Sequence, residues 1–156
     1  DNADRLSLYV FHSQVVPLFQ NAIKLDINSR NALVDNINKG TYIGPGELYS
    51  CTAFYNAMYR AILDTNNAPS SFVIGLTDGQ DNRRERTYHD IVNLASRFNN
   101  VKVIVITVGN LKNEPDIRAI CNAFNGHHLK IGVNDINKAF EKAADMLKGQ
   151  TSVEVL

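Results

Sequence analysis

Ser71-Phe-Val-Ile-Gly-Leu-Thr-Asp-Gly-Gln-Asp-Asn82 is the stretch on which the reading of the fold turns. Phe72 to Leu76 is an apolar run without period-two alternation. A strand reads that way when both its faces are covered, as in the middle of a parallel α/β sheet. The run stops at Thr77-Asp78-Gly79, where a carboxylate is followed at once by a residue suited to a tight turn. Open α/β sheets bind ligands in the crevice outside the carboxyl ends of their strands. Asp78 is therefore either the carboxylate of a ligand site or a turn residue capping the next helix.

Working outward, the neighbouring segments keep to the same architecture. Thr52 to Asp64 reads as a helix, with Phe54, Ala57, Met58, Ala61 and Ile62 on one face. Tyr88 to Phe98 reads as another, with Ile91, Leu94, Ala95 and Phe98 inward. Val101 to Val108 is a second apolar, β-branched run, expected to be a strand buried on both faces. Pro115 is placed to open a helix reaching Asn125, closed by Gly126. His127 to Ile131 reads as a short strand, and Asn134 or Asp135 as the cap of a final amphipathic helix through Lys148.

Upstream, Arg5 to Phe11 alternates Leu6, Leu8 and Val10 against Ser7, Tyr9 and Phe11, a strand with one face in the core. His12-Ser13 turns it into an antiparallel partner over Gln14 to Phe19, and Pro17 places that partner at a sheet edge. Asn28 is expected to cap a helix over Ser29 to Asn38, ending at Gly40. Thr41 to Glu47 is loop by its Gly and Pro. A hairpin followed by alternating helices and buried strands predicts an α/β three-layer sandwich, its sheet mostly parallel with one antiparallel edge. Leu6, Leu8, Val10, Phe72, Val73, Ile74, Leu76, Val103, Val105 and Ile106 are its expected sheet core.

Composition narrows the function. In 156 residues, 44 % apolar and 21 % charged describe a globular chain. Sixteen basic and sixteen acidic residues cancel, so no electrostatic pull toward nucleic acid or an anionic membrane is expected. The apolar runs are too short to insert in a membrane. Cys51 and Cys121 lie beside or inside helices and are expected to be reduced thiols. His127-His128 is a poor metal pair, because adjacent strand residues face opposite ways. Tyr42, Tyr49, Tyr55 and Tyr59 crowd the stretch around Thr52. Of these, Tyr42 and Tyr49 sit in the Gly-Pro loop, where exposed aromatics would favour a protein-binding surface.

Thr52 opens a helix and Asp78 closes a strand, and consecutive elements of a right-handed α/β layout bring those two ends to the same sheet edge. A hydroxyl and a carboxylate converging there are hard oxygen donors, suited to Mg²⁺ that keeps part of its hydration shell. A Mg²⁺-dependent phosphoryl-transfer or hydrolytic enzyme is the competing reading. It is disfavoured because the second buried strand ends at Thr107-Val108-Gly109-Asn110 without an acid, and no phosphate-binding Gly-Lys loop occurs.

Four segments in order resemble the von Willebrand factor type A domain. Thr52-Ala-Phe-Tyr-Asn-Ala57 is similar to that family's Thr-x-Leu-Tyr-x-Ala segment, and Phe72 to Asn82 to its strand and Leu-Thr-Asp-Gly-x-x-Asn turn. Arg5 to Ser13 is similar to its hairpin strand, and Val103 to Gly109 to its Val-x-x-Ile-x-x-Gly strand. The resemblance implies a Rossmann-like sandwich and a non-catalytic protein-interaction module. It also implies a metal-ion-dependent adhesion site, where a divalent cation keeps one position open for a partner's acidic side chain. Thr52 and Asp78 match its second and third loops, with Gly79 and Tyr49 beside them as candidate binding residues.

The family's first loop, Asp-x-Ser-x-Ser, occurs nowhere in the sequence. Residues 1–156 are thus expected to form a single domain lacking its first strand and helix, with a gap between the hairpin and the strand ending at Asp78. The alternative is a sheet completed otherwise, for instance by the strand-like tail Thr151 to Leu156. With one carboxylate and one hydroxyl, Mg²⁺ or another divalent cation is expected to bind weakly, and a metal-free scaffold is the alternative function.

Overall fold

The computed structural model describes residues 5–18, 23–24, 26–39, 52–66, 68–82 and 85–151. The first strands form one interrupted antiparallel hairpin. β1 (Arg5–Leu6) pairs with β4 (Ile23–Lys24), and β2 (Tyr9–Phe11) with β3 (Val15–Pro17), Val10 opposite Val16. Between the two ladders the Leu18 N–H donates to the Leu8 carbonyl at 2.8 Å. α1 (Ile27–Asn38) follows directly. Its start is held by Asp26, whose carboxylate accepts from the Ser29 N–H at 2.8 Å. The expected cap at Asn28 is therefore displaced by two residues, because Asp26 and Ser29 bond each other reciprocally.

A three-stranded parallel sheet carries the rest, in the order β5 (Ser71–Thr77), β6 (Val101–Val108), β7 (His127–Ile131). Ser71 lies opposite Val101 and Thr77 opposite Thr107, so β5 and β6 end level. On β6 alternate residues serve two cores. Val101, Val103 and Val105 face α2 (Phe54–Asp64), α3 (Tyr88–Val92) and α4 (Glu114–Ala123), packing with Phe54, Met58, Ile62, Ile91, Ile117 and Ile120. Ile104 and Ile106 face α5 (Ile136–Thr151) with Leu129, Ala139 and Ala143. Helices on both faces of a parallel sheet, with a separate antiparallel hairpin, give the expected three-layer α/β sandwich. Among the described residues no helix is long and apolar enough to cross a membrane.

The structure corrects three further expectations. Tyr88 to Phe98 is not one helix, because from Leu94 onward i→i+3 hydrogen bonds appear, Leu94 to Ile91 and Ala95 to Val92. Ile91, Leu94 and Phe98 stay buried all the same. The short helix is opened by a capping box, Thr87 with Asp90. Second, the hairpin residues expected in the core are not fully buried: Leu6, Leu8 and Val10 are half-buried. Third, β5 is not covered as a central strand would be. It pairs only with β6 among the described residues, and Ile74 is 39 % exposed, with Phe72 and Leu76 half-buried. Of the predicted sheet core, Val73, Val103, Val105 and Ile106 are buried. Cys121 is a buried free thiol, pushed by burial up to about 11, while Cys51 lies outside the described residues.

Two outcomes follow from this packing. Ile106→Asp places an unpaired charge at a position with no exposure and is expected to cost more than about 3 kcal/mol. Ile74→Asp is expected to cost about 1–2 kcal/mol, since that side chain already meets water. Denaturant melts of both variants give the comparison, and equal losses would contradict an open side at β5. Tyr9 donates to Asp64 of α2 and its hydroxyl is pushed up to about 12, first by burial and then by that carboxylate. A raised phenol contributes stability that is complete below its unfolded value near 10 and is lost as pH rises toward 12. Tyrosinate absorbance should therefore show Tyr9 titrating late, and Tyr9→Phe should flatten the loss of stability above about pH 10.

Candidate functional site

Where β5 stops, Thr77 shapes the turn. Its buried hydroxyl accepts from the Gly79 N–H at 3.2 Å and donates to the Gly79 carbonyl at 3.0 Å. Asp78 is carried exposed at the tip of that turn, and its carboxylate has no hydrogen-bond partner among the described residues. The alternative role of Asp78, capping the next helix, belongs to Thr87 instead.

Thr52 stands just before α2 and meets the same turn. A Cβ on Gly79 would lie 2.9 Å from Thr52 Oγ1, closer than an unstrained contact allows. Glycine is needed here for space, since the φ of Gly79 is not positive. The hydroxyl of Thr52 thus reaches the residue directly after Asp78, and the two sequence-predicted donors are brought to one turn. Tyr49 lies outside the described residues.

What holds Thr52 there is not α2 itself. Ala53 occupies the cap position and has no side-chain acceptor. The first-turn N–H groups, left orphaned in any helix, are taken up by other elements. The Tyr55 N–H donates to Asp81 Oδ2 at 2.7 Å, and the Ala53 N–H to the His12 carbonyl at 2.7 Å. Next to them the Thr52 N–H donates to Asn82 Oδ1 at 2.7 Å, while the Asn82 N–H returns to the Thr52 carbonyl at 3.1 Å. Asp81 and Asn82, four and five residues past Thr77, clamp the start of α2 onto the end of β5. They are the site residues that sequence reasoning missed. The available signal was an Asp-Asn pair after a strand-end turn, facing a helix whose cap position is Ala53.

A second link runs from the same helical turn to the start of α4. Asn113 Nδ2 donates to the Tyr55 hydroxyl at 3.1 Å, and that hydroxyl donates to Asp116 Oδ2 at 3.2 Å. Burial raises the Tyr55 phenol well above its usual value, so it stays a neutral donor at any physiological pH. Glu114 is engaged too, by Lys130 at 2.8 Å and Arg118 at 2.7 Å, which hold its carboxyl down at about 2. Of the acids along this sheet edge, Asp81, Glu114 and Asp116 are bonded within the fold, leaving Asp78 available.

The donor set is the exposed carboxylate of Asp78 and the Thr52 hydroxyl seated against the next residue, Gly79. Both are hard oxygens, and the exposure of Asp78 leaves room for water, so they fit a divalent cation that remains largely hydrated. Among the described residues no group of three or more His, Cys, Asp or Glu side chains gathers at ligand distance. The two histidines behave as expected for adjacent strand positions. His127 is exposed, while His128 is half-buried with Nε2 2.8 Å from Thr107 Oγ1, and burial lowers its pKa.

Among solved structures, the fold is similar to a von Willebrand factor type A protein from Catenulispora acidiphila. The TM-score is 0.71 at 19 % identity, over 99 % of this chain and 35 % of that one. It is also similar to proximal thread matrix protein 1 of the mussel byssus, at TM-score 0.63 and 18 % identity, over 92 % of this chain and 35 % of that one. A second crystal form of the byssus protein gives 0.61 at 18 % identity. This chain spans about a third of the length of those structures. Comparison with curated protein sequences gives no match. Comparison with sequence families matches residues 1–149 to the von Willebrand factor type A domain, and the chain belongs to that family.

Proposed function

We propose that this chain is a non-catalytic interaction module that takes hold of an acidic side chain of a protein partner at the turn bearing Asp78. The observation that carries the reading is the seating of Thr52 Oγ1 against Gly79, immediately beyond an exposed carboxylate with no bond among the described residues. Mg²⁺ or another divalent cation, when held there, supplies positive charge and a free coordination position for the partner's carboxylate. Asp78 supplies the single charge and Thr52 a neutral oxygen. Thr77 fixes the turn, and Gly79 leaves the space in which Thr52 and a partner group meet. Tyr49, a candidate binding residue by its sequence neighbourhood, lies outside the described residues.

A metal-free scaffold binding through the same surface is the second reading, favoured by how few oxygens the described residues offer. The two separate on affinity. One charge and one hydroxyl should hold Mg²⁺ at millimolar strength or weaker, on the order of 4 kcal/mol or less. Calorimetric titration with Mg²⁺ is expected to show this weak binding and its loss in Asp78→Ala. A longer chain bearing an upstream strand with Asp-x-Ser-x-Ser is expected to bind more tightly and to depend on Asp78 in the same way. Tight binding by the present chain would reveal ligands other than Thr52 and Asp78. No binding by either chain would leave the metal-free scaffold.

A further inference from the structure

Thr52 and Asp78 come from elements 26 positions apart in the sequence, and neither bonds the other. Their meeting depends on what fixes the start of α2 relative to the end of β5. α2 cannot do so alone, because Ala53 offers its first turn no acceptor. The acceptors come from the segment that carries Asp78. Asp81 takes the Tyr55 N–H, and Asn82 bonds Thr52 through both its side chain and its backbone N–H.

We propose that Asp81 and Asn82 are positioning residues for a divalent-cation site at Thr52 and Asp78. They lock the Thr52 hydroxyl against Gly79 and touch neither the ion nor the partner. This proposal rests on the metal-assisted reading above. The geometry assigns the two residues different work. Asn82 sets the height of Thr52 along the helix axis, gripping its N–H and its carbonyl at once. Asp81 sets the approach of the helix as a whole, since its carboxylate meets an N–H group at the positive end of the helix dipole. Asp81 thereby gives Oδ2 to the helix, while Asp78 stays exposed at the turn.

This division predicts a distinction that charge alone would not produce. If Asp81 acted through its negative charge on the ion, removing the charge would weaken binding whatever replaced it. If it acts by accepting the Tyr55 N–H, Asp81→Asn keeps the acceptor and Asp81→Ala loses it.

The experiment uses Mn²⁺ as probe, following selective paramagnetic broadening of the Thr52, Asp78 and Gly79 amide signals. Hydrogen exchange of the Thr52 and Tyr55 amides and the thermal midpoint are recorded alongside. In the unaltered chain, broadening should centre on those amides and saturate at millimolar Mn²⁺. Asn82→Ala and Asp81→Ala should each weaken it about fivefold or more and speed exchange at Thr52 and Tyr55 respectively. Asp81→Asn should retain most of the binding. Weakening in every variant, Asp81→Asn included, would make Asp81 an electrostatic contributor and overturn the proposal. So would unchanged Mn²⁺ affinity in Asn82→Ala despite faster Thr52 exchange. If a variant is too unstable to compare, Asn82→Ser, which keeps a shorter acceptor, is measured under the same criteria. Absence of localised broadening in the unaltered chain would refute the metal-assisted reading and the positioning role with it. That outcome is distinct from binding that survives loss of the clamp.

Discussion

Phe54 joins two β structures that share no ladder hydrogen bonds among the described residues. Its ring, fully buried, lies edge-on to Phe11 of the hairpin at 5.8 Å between centroids. The same ring lies over β5, where a Cβ on Gly75 would come within 3.0 Å of it. Helix α2 therefore spans the hairpin and the parallel sheet, and it does so at the level where its first turn meets Thr52. The Tyr9 bond to Asp64 repeats the link at the far end of the helix. With both ends of α2 tied to the hairpin and its middle pressed on β5 through Met58, the helix cannot slide without opening the larger core.

That arrangement explains which parts of the fold were legible in the sequence. The β6 run needed no context. With Val at 101, 103 and 105 and Ile at 104 and 106, both faces are apolar, and both are covered. β5 looks the same in sequence, yet Ile74 is exposed. Apolar composition records the cover a strand is suited to, and only tertiary structure decides whether a neighbour stands beside it. Tyr88 to Phe98 shows the converse. Its apolar spacing survives a change from α-helical to i→i+3 hydrogen bonding, so burial was legible there while helix length was not.

At the candidate site the topological rule was enough to bring Thr52 and Asp78 to one turn, because a helix start and the next strand end must share an edge. The glycine at position 79 was legible as part of the turn, but its physical reason was misassigned. Its backbone is ordinary, and the constraint is the Thr52 hydroxyl arriving from a distant segment. Asp81 and Asn82 were invisible for the same reason. Capping rules look for an acceptor within a few residues of the helix start, and here the acceptors lie 26 and 30 residues away from the groups they bond.

The acids along the sheet edge show what this wiring accomplishes. A carboxylate bonded inside a fold gives part of its acceptor capacity to structure. Asp81 is matched by a helix N–H, Asp116 by a neutral phenol, and Glu114 by two cations. Asp78 has none of these among the described residues. The phenol of Tyr55 is kept neutral by burial, so the link across to α4 adds no charge of its own. At the turn, Asp78 is the exposed carboxylate, and the Thr52 hydroxyl is seated against the next residue. One charge against partial dehydration makes a weak cation site, so further oxygens, whether from a partner or from more chain, would set its strength.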